Sequence, residues 1–290
     1  MTPELQIKVE RAIRLLQSVA PTDGSPVEVA YSGGKDSDVI LELTRMAGIN
    51  YRAIYKNTTI DPPGTIAHAK ENGAEIIRPK KTFFQLVSNF GYPNRNYRFC
   101  CAELKEYKVL NKAVMGVRKA ESTKRAARYN EPTECKLYGS KKGGQYVEAI
   151  YPILTWTDED VVAFVEERGI KLHPLYYRED GTIDPSRRLG CMACPLAYYK
   201  KRIKYFEQYP NMVKAYIRAG QKYLDTHPDS KTASTYASVY EWFVRDVFYE
   251  KQAKWEQSKQ GMFGETDYKK FLEDYFKIII LTPQERPATR

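Results

Sequence analysis

The hexapeptide Ser32-Gly33-Gly34-Lys35-Asp36-Ser37 follows a short, mostly apolar run, residues 27–31. It precedes apolar positions at helical spacing, Val39, Ile40, Leu43, Met46 and Ala47, which Gly48 closes. That order predicts a strand, a glycine turn and a helix. Glycines let the backbone turn tightly and approach a ligand with no Cβ in the way. The helix start offers unpaired amides and the positive end of its dipole. Two serine hydroxyls add donors and Lys35 adds a charge, so the segment reads as a cradle for phosphate. The spacing matches neither GxxxxGK[ST] nor GxGxxG. The plainer alternative is a capped turn with incidental glycines.

Around it the pattern keeps alternating. Leu5, Val9, Ile13, Leu16 and Val19 predict an N-terminal helix. Residues 49–55 and 74–79 read as strands flanking a short helix after a Pro-Pro turn. Further strands are expected at 113–118 and 148–153. The helix after the latter is marked by Thr157 as cap, Asp160 at the capping-box position, Trp156 as staple onto Val161, and Gly169 as stop. Strands alternating with helices imply a parallel sheet with crossovers. Beyond about residue 195 the texture turns helical, tyrosine-rich and lysine-rich, so the expected division is 1–195 and 196–290.

The charge balance, 46 basic against 36 acidic residues, suits an anionic partner, a nucleotide or a nucleic acid, and equally a soluble protein with basic faces. No apolar run reaches 18 residues and the N-terminus lacks a continuous apolar stretch, so no membrane partner and a cytoplasmic address are expected. Five cysteines in such a chain argue against a disulfide framework. Cys100 and Cys101 are adjacent in "RFCCAELK"; Cys191 and Cys194 form a CxxC in "GCMACPL". A CxxC turn can place two thiolates on one soft metal centre. Adjacent cysteines diverge, which suits the separated corners of a [4Fe–4S] cluster better than a single Zn²⁺. A metal-free redox pair and inert buried thiols are the other readings, and Cys135 reads as a packed thiol.

"SGGKDS" is the signature of the PP-loop, or adenine nucleotide α-hydrolase-like, superfamily. With the later CC and CxxC, the chain resembles the phosphoadenosine phosphosulfate reductase family over about residues 27–200, in its cluster-bearing branch. The resemblance implies an α/β fold, a doubly wound, mostly parallel sheet of five or six strands, with a helical C-terminal extension. It implies that Ser32, Gly33, Gly34, Lys35, Asp36 and Ser37 grip a nucleotide's charged tail. "NTTIDPPGT" is similar to the family's segment after the second strand, which places Thr59 and Asp61 near the nucleotide. "GVRKAESTKRA" is similar to its GxRxxxSxxR motif, which turns Arg118 and Arg125 toward phosphate or sulfate. Residues 116–128 do carry five basic side chains against one acid, a pattern that a solvated loop also shows.

In that family a reductase attacks sulfur with a cysteine near its C-terminus, in a motif like ECGLH. No cysteine follows Cys194 here. A second branch, which includes DNA phosphorothioation and tRNA thiolation enzymes, cleaves ATP to AMP and pyrophosphate to activate a target for sulfur entry. The expected activity is of that second kind. Lys35 and Arg118 would stabilise phosphate charge, Mg²⁺ would accompany ATP, Cys100, Cys101, Cys191 and Cys194 would hold the cluster, and a separate protein could donate sulfur. A true adenosine phosphosulfate reductase and a non-catalytic nucleotide- or nucleic-acid-binding module are the alternatives. Residues 198–223 hold seven basic residues, one acid and seven aromatics, a composition suited to nucleic acid or to an amphipathic helix pair.

Overall fold

The computed structural model describes residues 1–138, 144–248 and 267–281. The chain divides into two compact units, Met1–Lys80 with Cys101–Cys191, and Lys81–Cys100 with Met192–Arg290. The segment 81–100 thus groups with the C-terminal part, although sequence texture placed it in the first. Its helix, Phe83–Phe90, packs on the helix Asn211–Thr226.

The first unit contains a six-stranded sheet. Its strands are β1 (Val27–Tyr31), β2 (Tyr51–Lys56), β3 (Glu75–Ile77), β4 (Lys112–Val114), β5 (Thr133–Tyr138) and β6 (Gln145–Ile150), in the order β3-β2-β1-β4-β6-β5. All neighbours are parallel except β5, which runs antiparallel along β6 at the edge. The fold is the expected mostly parallel α/β type with a helical C-terminal region. Helices α1 (Pro3–Val19), α2 (Lys35–Ala47), α3 (Thr65–Glu71) and α7 (Asp158–Arg168) belong to this unit. Leu5, Val9, Ala12 and Leu16 of α1 join the core beside Val39, Ile40, Leu41 and Leu43 of α2, and Trp156 packs edge-on against Phe164 of α7.

The expected punctuation is present. Thr157 and Asp160 exchange both capping-box bonds, at 3.2 and 2.8 Å, and Gly48 and Gly169 end their helices in the left-handed region. Three differences follow from pairing rather than pattern. β4 stops at Val114, short of the expected 118. β6 starts at Gln145 and stops before Tyr151, because Pro152 has no amide for the ladder. β5 was not anticipated; its register with β6, Thr133 against Ile150 through Tyr138 against Gln145, supplies partners its composition did not advertise. The short helices α5 (Phe99–Leu104) and α6 (Thr123–Arg128), and α4 (Phe83–Phe90) noted above, were likewise unread.

In the second unit, α4 joins α8 (Tyr199–Gln208), α9 (Asn211–Thr226), α10 (Lys231–Thr235), α11 (Val239–Trp242), a π-helical turn over Phe243–Phe248, and α12 (Tyr268–Phe276). Its core is aromatic: Phe206 meets Tyr216 and Phe243 edge-on at 5.4 and 5.3 Å. Tyr205, Phe206 and Tyr216 are all buried. Three of the aromatics in 198–223 therefore pack inward and present no face to a base, while Tyr198 is exposed. No helix among the described residues is long and apolar enough to cross a membrane.

Candidate functional site

β1 and β4 are neighbours, yet the chain first winds outward through β2 and β3 before returning to β4. Such a reversal leaves a crevice at the carboxyl ends of the strands. The glycine loop sits there. Gly33 has φ +73, and a Cβ on it would lie 3.0 Å from Thr65 Cγ2, so both conformation and space require glycine. Gly34 caps α2 with no side chain of its own. The Ser37 hydroxyl donates to the Gly34 carbonyl at 2.7 Å, which tightens the first turn, and Ser32 reaches Ser37 at 3.3 Å.

A cavity of about 310 Å³ opens on this turn. Ser32, Gly34, Lys35, Asp36 and Ser37 line it, joined by Gly116, Glu121, Arg125, Tyr176 and Arg188. A second cavity, about 160 Å³, runs along the sheet face past Ala30, Ile54, Asp61, Lys105 and Met115. The two share Ala30, Ser32 and Leu189. Together they offer a strongly polar pocket next to a smaller, more apolar one.

The charges divide into fixed and facing groups. Arg118, 1% exposed, is fixed. Its Nε donates to Asp36 at 2.6 Å, its Nη2 to Asp158 at 2.7 Å and its Nη1 to the Trp156 carbonyl at 3.3 Å. Burial opposes its charge, but Asp36 and Asp158 outweigh burial and hold the guanidinium above its ordinary value. With its donors directed to these partners, Arg118 does not line the cavity. Lys35 is nearly as enclosed, 3.4 Å from Asp36 and 4.0 Å from Asp158, and burial lowers its pKa. Arg125 and Arg188 do line the cavity, and both engage Glu121. Asp36, expected among the gripping residues, thus also anchors Arg118.

The segment after β2 places Asp61 at the second cavity, where its carboxylate accepts from the Tyr55 hydroxyl at 2.6 Å and the Thr58 amide at 3.1 Å. Thr59 lines neither cavity and holds φ +60. Cys191 donates to Thr58 Oγ1 at 3.5 Å and meets the Lys105 side chain; burial raises its thiol pKa. Cys101 lies in the same unit as Cys191, whereas Cys100 and Cys194 fall in the other. Among the described residues no group of three or more His, Cys, Asp or Glu side chains is gathered to hold a metal ion. Cys135 is exposed on the edge strand β5 and lines neither cavity.

Sequence reasoning missed Arg188, Tyr176, Lys105, Glu121 and Gly116. For Lys105 a signal existed: four residues after Cys101, at helical spacing, it shares that cysteine's face. Gly116 had only its place in GxR; a Cβ there would stand 2.9 Å from the Asp36 carbonyl oxygen.

Against Gly64 at the start of α3, His173 donates from Nε2 to the Pro63 carbonyl at 3.2 Å and accepts the Leu175 amide at Nδ1, 3.2 Å. Protonation would set a second donor against that amide, and burial already lowers the pKa from 6.5. The unfolded chain therefore takes up a proton that the folded one refuses. Stability present above pH 6.5 is expected to fall as pH drops below it, by at most about 1.4 kcal/mol per unit. Urea unfolding at pH 7.5, 6.5 and 5.5 checks this, and His173→Gln should flatten the slope.

Comparison with known proteins adds a family. Residues 26–197 match the model of the phosphoadenosine phosphosulfate reductase domain. An uncharacterised protein of Methanocaldococcus jannaschii is 26% identical over 233 residues, 74% of this chain and 46% of its own length. The chain spans less than half the length of the curated relatives it matches. Among solved structures, a phosphoadenylyl-sulfate reductase of Candida auris in a phosphate complex is similar at TM-score 0.43 and 15% identity, over 63% of this chain and 95% of that one. The U34-tRNA thiolase NcsA of Methanococcus maripaludis, with its [4Fe–4S] cluster, is similar at TM-score 0.38 and 16% identity, over 85% and 89%. Likeness at that level carries no argument about activity.

Proposed function

The chain belongs to the phosphoadenosine phosphosulfate reductase domain family, and from that premise we propose that its sheet unit binds an adenine nucleotide and cleaves ATP between the α- and β-phosphates to activate an acceptor for sulfur chemistry. The observation that carries the reading is the 310 Å³ cavity on the start of α2, where Ser32, Ser37, Lys35, Arg125 and Arg188 converge. The helix start and hydroxyls supply fixed donors. Lys35 is held in place to stabilise phosphate charge. Arg125 and Arg188 supply the facing cations, and Arg118 orders Asp36 and α2 from behind. Mg²⁺ accompanies the triphosphate.

In the proposed step an acceptor oxygen attacks the α-phosphorus, the bond to the bridging oxygen breaks, and pyrophosphate leaves with that electron pair. The acceptor is then an adenylate, from which a sulfur donor displaces AMP. Thr59, Asp61 and the 160 Å³ cavity are proposed for the nucleoside side of the site.

Cys100, Cys101, Cys191 and Cys194 are proposed as ligands of a [4Fe–4S] cluster, with Zn²⁺ as the other centre their chemistry admits. None of the five cysteines is in a disulfide, which leaves the thiols in the form such a centre needs. When bound, the cluster would supply a site for sulfur; no step above depends on it.

Anaerobically purified protein is expected to contain about four iron atoms per chain and to absorb broadly near 400 nm, roughly as thiolate-bound centres do. With Mg-ATP and a screen of acceptors it should yield AMP and pyrophosphate, and Lys35→Ala should lower the yield at least about tenfold. ADP and phosphate as products, or sulfite from adenosine phosphosulfate with a thiol donor, would contradict the reading.

A further inference from the structure

Residues 187–190 form a strap across the glycine loop. Leu189 Cδ2 stands 3.3 Å from where a Cβ on Gly33 would be, and its Cβ 4.0 Å from the same point on Gly34. Arg188 faces the phosphate cavity, Leu189 lines both cavities and Gly190 lines the second. Hydrogen bonds tie the strap to the short 3-10 turn Pro174–Tyr176 and the residues that follow it. The Tyr176 hydroxyl accepts the Leu189 amide at 3.1 Å. Arg187 donates from Nη1 to the Leu175 and Tyr177 carbonyls at 3.1 and 2.9 Å, and from Nε to Asp184 at 3.2 Å.

The Tyr176 oxygen also meets the start of α2. A Cβ on Gly34, the residue that caps α2, would lie 3.2 Å from it. The ring is core, 2% exposed, and Lys35 Nζ stands 5.7 Å from its centroid. One buried oxygen thus joins the phosphate loop to the strap that carries a facing arginine. A phenylalanine would fill the same space and could not accept the Leu189 amide, so the hydroxyl serves something that packing does not require.

We propose that Tyr176 is a positioning residue: its hydroxyl, helped by Arg187, sets the strap over the glycine loop so that Arg188 reaches the phosphate of the bound nucleotide. This rests on the nucleotide reading of the same loop. Tyr176 touches no reacting atom; it acts through Arg188.

The test is calorimetric titration of the full chain with inorganic pyrophosphate, for the wild type, Tyr176→Phe, Arg188→Ala and the double variant, with thermal melting of each. Tyr176→Phe should weaken binding about 5- to 10-fold and Arg188→Ala at least as much. The double variant should be no more than about twofold weaker than Arg188→Ala alone, because residues acting through one contact are not additive. A general loosening of the fold would instead persist in the Arg188→Ala background. Arg187→Ala, at a partly exposed position, should repeat the pattern and keeps the test open if Tyr176→Phe does not fold. Unchanged or tighter binding by Tyr176→Phe, or a full effect retained without Arg188, overturns the proposal. A wild type that binds no pyrophosphate overturns the nucleotide reading, and the proposal with it.

Discussion

Arg118→Ala is expected to lower the unfolding free energy by about 3–5 kcal/mol, the range for breaking a buried ion pair from one side. The guanidinium is the common partner of Asp36 and Asp158, and removing it leaves the Asp36 carboxylate without its 2.6 Å ion pair, with Lys35 at 3.4 Å. Nucleotide affinity should fall too, because Asp36 lies in the first turn of α2. Lysine should rescue little: it cannot bond Asp36, Asp158 and the Trp156 carbonyl from one planar fork. Chemical denaturation measures the stability change, and titration with ATP the affinity. A loss of affinity with stability intact would instead make Arg118 a direct phosphate ligand.

Gly116→Ala is the second large effect. The added Cβ would lie 2.9 Å from the Asp36 carbonyl oxygen and 3.0 Å from its carbon, and neither can swing aside as the end of a side chain could. The start of α2 must move or the chain after β4 must. Overpacking of this kind costs about 1–3 kcal/mol. Since Gly116 also lines the 310 Å³ cavity proposed to take the phosphates, ATP binding should weaken at least about tenfold, a loss of about 1.4 kcal/mol. The same titration and denaturation decide it; a variant that binds as the wild type does would show that this wall is not part of the site.

These two residues also mark where the sequence stops being readable. The glycine loop was legible because every signal is local: an apolar run, two glycines, a helical period and a closing Gly48. Arg118 was legible as a cation placed after a strand. The direction of its guanidinium was not, since its carboxylate partners lie 82 and 40 positions away in the chain. Arg188 and Tyr176 were invisible for a similar reason: only the folding of 174–190 over the loop brings them to it. β5 escaped because a short edge strand takes its conformation from its neighbour, β6, more than from its own composition. The composition of α8 and α9 suited either stacking on bases or an amphipathic helix pair, and it took the fold to place Tyr205, Phe206 and Tyr216 in a second core.

Equilibrium dialysis of Mg-ATP against the full chain, with Gly34→Val alongside, tests most directly whether the turn at β1 and α2 is a phosphate cradle. A valine side chain at 34 would press on the Tyr176 hydroxyl and intrude at the start of α2. A phosphate cradle there should bind one ATP per wild-type chain, displaced by pyrophosphate, with at least about a tenfold loss in the variant. ATP bound equally well by both proteins, or by neither, would contradict it.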